Sequence, residues 1–141
     1  MASRAVCFLL AAASAAGLTS VPAGTKLRVC SGSSCAGRCV GSFEPVRAFE
    51  AQADMFDLDI EVETVFCMNM CKRGPNVRLI QDGQVATVAA EMGETEQSRR
   101  AFQGVRDDAR VWKIWMLAAG AAAGTLGDGL ALHGAPPDDM V

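Results

Sequence analysis

From Lys26 onward, apolar and polar positions fall into short runs of two different periods. Lys26-Leu27-Arg28-Val29 predicts a strand that runs into Cys30. Val46, Phe49, Ala53 and Phe56 recur at helical spacing behind Pro45, whose fixed φ and missing N–H suit a first helical turn. Leu58 to Phe66 alternates again: Leu58, Ile60 and Val62 interleave with Asp59, Glu61 and Glu63, giving a strand with one wet face that ends in the apolar pair Val65-Phe66. Gly74-Pro75-Asn76 marks a turn and Val77 to Gln81 a third strand. Asp82-Gly83 is a strong hairpin signal, with Gln84 to Ala89 as the returning strand. Thr95 to Val105 reads as a helix through Ala101, Phe102 and Val105, and Ala109, Trp112 and Met116 extend the same face, so the helix either continues past Gly104 or restarts after it.

The resulting order, β-α-β-β-β-α, predicts an α/β (α+β) fold with a thioredoxin-like βαβ-ββα core and a helical C-terminal extension. A chain of 141 residues has room for one such domain. The expected division is a targeting leader and connector over 1–25, the core domain over 26–106, and a helical, Ala/Gly-rich tail over 107–141. In the leader, Arg4 precedes the apolar stretch Ala5 to Leu18, small residues suit cleavage after Ala15 or Ala16, and no acidic residue appears before Glu44. A transit peptide and a secretory signal both fit those features. The Ala/Ser content favours a plastid, with the mitochondrion or the secretory pathway as alternatives. Cys7 leaves with the leader and receives no role. In the tail, Ile114 to Gly127 is uncharged but shorter than a membrane span. A docked helix or partner-binding segment is expected there, ahead of membrane contact, and 134–139 is expected to fray.

The net charge of −3, with no basic stripe, offers nothing to nucleic acid. The six cysteines change the picture more. Four of them form two close pairs, Cys30-x4-Cys35 and Cys67-x3-Cys71, each directly behind a predicted strand. A strand, a helix and a parallel strand connect by a right-handed crossover, so both pairs emerge at the same carboxyl edge of the sheet. Gly32, Gly37 and Gly41 let the backbone wrap bulky inorganic atoms and aim N–H groups at sulfur, which raises a cluster's potential. Arg38, Lys72 and Arg73 either add to that field at longer range or simply solvate the surface. Four thiolates on one centre suggest an iron–sulfur electron carrier. The alternative is a structural or regulatory zinc module built on the same cysteines. Disulfides would lead if the leader exports the protein. A Cys-x-x-Cys dithiol is missing from the sequence, and Rieske ligation needs more histidine than the single His133, read as an uncommitted surface residue. Without a nucleophile–base pair, phosphate loop or flavin motif, an enzyme acting alone is not expected.

Cys30-x4-Cys35, Cys67-x3-Cys71 and the following Gly74-Pro75-Asn76-Val77 resemble the thioredoxin-like [2Fe–2S] ferredoxins, and are similar to the small [2Fe–2S] subunit of respiratory NADH dehydrogenase. The resemblance covers roughly Lys26 to Val105. It implies one [2Fe–2S] cluster near the surface, held by Cys30, Cys35, Cys67 and Cys71, and one-electron exchange with redox protein partners. It also implies that Pro75 enters the third strand where this fold often places a cis proline, and it makes a homodimer plausible. Cys39 repeats a three-residue gap after Cys35 and so competes with it, but the family pattern assigns Cys35. Met68 and Met70 flank the second pair as expected apolar cover for the sulfurs.

Overall fold

The computed structural model describes residues 24–32, 35, 37–39, 41–69 and 71–137, apart from the Cys71 side chain. The leader with Cys7, and Met70, lie outside the described residues. Strand β1 (Thr25–Cys30) is followed by helix α1 (Pro45–Met55), β2 (Ile60–Val65), β3 (Val77–Gln81), β4 (Gln84–Val88), helix α2 (Glu94–Arg99), helix α3 (Asp108–Ala123) and β5 (Leu130–Leu132). The sheet order is β2-β1-β3-β4-β5. β1 and β2 run parallel, β3 lies antiparallel to β1, and β4 antiparallel to β3. The first four strands therefore have the order and directions of the expected thioredoxin-like core.

Register explains why the two faces differ. Leu27 stands beside Val62 and Leu79, Val29 beside Val77, and Leu79 beside Ala86, which puts these apolar side chains on one face. Phe49 of α1 and Val111, Ile114, Trp115, Ala118 and Ala121 of α3 cover that face in one core. The alternate positions pair Lys26 with Glu61 at 3.4 Å and Arg28 with Glu63 at 3.2 Å along the parallel strands. Pro45 begins α1, and Asp82 and Gly83 both take the positive φ that a tight hairpin requires (51° and 76°). Asp107 caps α3 by accepting from the Arg110 N–H at 2.9 Å, and Gly124 ends it in the left-handed conformation.

Three expectations need correction. The helix over 95–105 stops at Arg99, because Arg100 turns left-handed. Phe102 instead exchanges two backbone hydrogen bonds with Val77 and is buried. The expected face through Trp112 and Met116 points outward; Trp112 only stacks a tilted ring on Phe56 at 5.7 Å. It is the neighbouring stripe of α3 that packs on the sheet, in one core with the strands and α1. The expected frayed end over 134–139 is held where it starts: the Gly134 carbonyl accepts the Val85 N–H at 2.9 Å, and His133, just past β5, donates its N–H to the Val85 carbonyl and pairs its ring with the Thr87 hydroxyl at 2.6 Å. Among the described residues, no helix is long and apolar enough to cross a membrane.

Candidate metal centre

β1 ends at the sulfur site because three hydrogen bonds hold its exit. The Cys30 N–H donates to the Asn76 carbonyl at 3.0 Å, and Ser31 donates both its N–H and its hydroxyl to the Val65 carbonyl at 2.8 and 3.1 Å. Gly32 follows, where a Cβ would lie 2.6 Å from the Phe66 carbonyl oxygen, so only glycine fits without displacement. The chain then turns back: the Cys35 N–H donates to the Gly32 carbonyl at 3.0 Å and the Arg38 N–H to the Cys35 carbonyl at 3.1 Å. The Cys30 and Cys35 sulfurs come to rest 3.2 Å apart, both thiols buried and well beyond disulfide bonding distance.

The loop before β3 closes over this pair. The Gly74–Pro75 peptide, in the loop where the resembled fold often places a cis proline, is cis. A Cβ on Gly74 would sit 2.5 Å from the Cys35 sulfur, so the thiol occupies the space a side chain would take. The segment expected to be helical holds this loop. Gly104 N–H donates to the Arg73 carbonyl at 2.8 Å, Val105 N–H to the Pro75 carbonyl at 3.0 Å, and Arg106 Nε to the Gly74 carbonyl at 3.2 Å. Met68 and Val65 pack against the two cysteines and keep water from the sulfurs.

The second cysteine pair lies where β2 leads, two residues past the register partner of Cys30 for Cys67. With strands about 4.8 Å apart and a rise of about 3.3 Å per residue, a straight continuation would separate the Cα atoms of Cys30 and Cys67 by about 8 Å. The half-buried Cys67 thiol accepts the Asn69 N–H at 3.2 Å, with Asn69 at φ 58°. It faces an open groove of about 560 Å³ whose walls include Lys72, Arg73, Thr95 and Arg99. Cys71 opens the short turn Cys71–Arg73. Thus Cys30 and Cys35 are brought together, while Cys67 turns to another wall. Among the described residues, no three metal-binding side chains form a group.

Cys39 stands apart from the pair. It is half-buried and donates its thiol to the Cys35 carbonyl at 3.8 Å. Burial pushes its thiol above the ordinary range, with Arg106 pulling weakly the other way, so Cys39 is not poised as a thiolate. Arg38 is exposed.

The fit to an iron–sulfur centre can be tested on the first pair. Two thiolates on one tetrahedral metal with bonds of about 2.3 Å stand about 3.8 Å apart. Cys30 and Cys35 need to open by only about half an ångström, inside a glycine-lined, apolar recess. Donor type, spacing and shelter fit the group, and the second pair adjoins the same edge. Sequence reading missed Gly74 as a wall of this recess, Arg106 as its brace, and Thr95 and Arg99 as groove residues. Only Gly74 carried a local signal, its place before Pro75. Comparison of the chain with protein-family models, curated proteins and solved structures finds no match in any of the three.

Proposed function

We propose that this chain is a one-electron carrier holding a single [2Fe–2S] cluster through Cys30, Cys35, Cys67 and Cys71. The observation that carries the reading is the buried Cys30–Cys35 pair, its sulfurs 3.2 Å apart and not joined by a disulfide, at the carboxyl edge of two parallel strands, the second of which leads into Cys67. When bound, such a cluster takes up and returns one electron at a potential set by hydrogen bonds to sulfur and by exposure. The chain's own groups supply those settings. Gly32 and Gly74 leave room for the sulfurs, Met68 and Val65 exclude water, and the Asn69 N–H already donates to the Cys67 sulfur. Bringing the Cys67 thiol to the first pair is the step that metal loading has to drive, since binding energy of this kind reorganises incomplete sites.

The test is composition and colour on anaerobically purified protein. Iron and inorganic sulfide in equal amounts, a red-brown colour, and a spin-½ resonance after reduction are expected, with the visible absorption lost or strongly changed in Cys67→Ser. A colourless protein that carries zinc would move the same thiolates to the structural zinc reading. A Cys30–Cys35 disulfide in protein taken directly from its working compartment would remove both readings.

A further inference from the structure

The groove beside Cys67 carries charge that the fold leaves unused. Lys72, Arg73 and Arg99 line it, and no carboxylate does. All three cations are exposed, and none has a carboxylate within ion-pair distance among the described residues; Arg73 meets only the Thr95 hydroxyl at 3.5 Å. The chain as a whole carries a net charge of −3, and Lys26, Arg28, Arg47, Arg110 and Lys113 are each paired with a glutamate. Of the acids on α2, Glu96 is already held by Arg110 and by the Gly93 and Gln103 N–H groups, and Glu94 lines the adjoining groove with Lys72 and Arg73 without an ion pair to either among the described residues.

We propose that this groove docks a carboxylate-rich segment of the protein that exchanges electrons with the chain. The proposal rests on the electron-carrier reading for the identity of the partner, but not for the binding itself. A groove of about 560 Å³ accommodates several side chains, which suits a short acidic run. Focused positive charge accelerates encounter with such a run and is screened by salt. Cys67 forms part of the same wall, so a docked partner meets the protein at one of the proposed ligands.

The experiment titrates a fluorescein-labelled oligoglutamate peptide into the full chain by anisotropy, at low and at physiological ionic strength, with inorganic phosphate as competitor. In parallel the reduced protein is mixed with ferricyanide, which takes one electron and becomes ferrocyanide as the protein returns to its oxidised form. Binding at low salt is expected, weakened about tenfold or more at physiological salt. Arg99→Glu, and separately Lys72→Glu/Arg73→Glu, should each weaken it by about tenfold, whereas Lys26→Gln at the opposite end of β1 should not. Bound peptide should slow the ferricyanide reaction of the native protein, and this slowing should vanish in Arg99→Glu. Absence of binding, binding indifferent to both variants, or equal displacement by phosphate at matched charge would each overturn the proposal. A colourless protein would instead defeat the electron-carrier reading, while the peptide titration would still decide the groove. Arg99 lies on α2, outside the cysteine loops, so its effect cannot arise from lost ligation.

Discussion

Replacing Gly74 by alanine adds one methyl group against the Cys35 sulfur. The new Cβ would meet that sulfur at 2.5 Å, the Cys35 Cβ at 3.3 Å and the Asn76 Nδ2 at 3.3 Å. Ordinary contact begins at 3.4 Å, so the sulfur has to retreat by about 1 Å. It cannot do so freely, because Cys35 is 1% exposed and the Cys30 sulfur stands 3.2 Å away. Overpacking of this sort costs about 1–3 kcal/mol, or roughly 3–10 °C in Tm for a domain of this size. Displacing a ligand through its supporting neighbour typically weakens metal binding about 10–100-fold.

Three measurements separate this cause from a general backbone effect. Thermal melts of metal-free protein give the stability cost, and transfer of iron to a chelator gives the loss of affinity. Gly129→Ala, where a Cβ meets nothing within 4 Å, should be close to neutral in both. In the double variant Gly74→Ala/Cys35→Ala the clashing sulfur is gone, so the cost should fall well below the sum of the single changes. A Gly74→Ala protein with native Tm and native iron retention would refute the claim that the thiol occupies the space left by glycine. Additivity in the double variant would refute it equally.

The other expectations are simpler to read. Cys39→Ser should retain cluster colour while Cys35→Ser loses it, because Cys35 faces the Cys30 sulfur and Cys39 faces a carbonyl; iron per chain decides. Trp115→Ala should cost about 3–5 kcal/mol in a urea melt, and Trp112→Ala far less, since Trp115 is 1% and Trp112 44% exposed. Loading with iron and sulfide should change hydrogen exchange at the Asn69 amide, now bonded to the Cys67 sulfur, and leave the amides of β3 unchanged. Unchanged exchange at Asn69 would mean that Cys67 does not move to join the pair.

Local rules read well where the cause was local. Asp82-Gly83 specified the hairpin because its backbone conformation is costly for most other residues, and β3 and β4 fell into place on either side. Pro45 placed the start of α1 for the same reason. Where the cause was tertiary, pattern failed. α3 carries two apolar stripes, one through Trp112 and Met116 and one through Val111, Ile114, Trp115 and Ala118, and the helical period alone cannot choose between them. The sheet chooses, taking the stripe that packs on Leu27, Val29 and Leu79. β5 has only three residues and exists because β4 offers an edge. Phe102 sits at helical spacing from its neighbours, yet its backbone is claimed by Val77 once Arg100 has turned the chain.

The candidate site divides along the same line. That Cys30 and Cys35 meet follows from a strand end, a glycine and a tight turn, all within a few residues, and so it was legible. Where the Cys67 thiol points depends on two things no spacing encodes: the Asn69 N–H that holds it, and a groove assembled from the turn after Cys71, α2 and the segment from Gln103. β2 does not continue straight past Val65: Phe66 leaves the sheet and its carbonyl accepts from the Cys30 thiol at 3.6 Å. On the proposed reading, the first pair is an anchor already in place and Cys67 an arm that binding energy has to recruit. That division predicts which ligand substitutions act alike. Losing Cys30 or Cys35 removes the preformed anchor, while losing Cys67 removes the recruited arm and leaves the 3.2 Å pair intact.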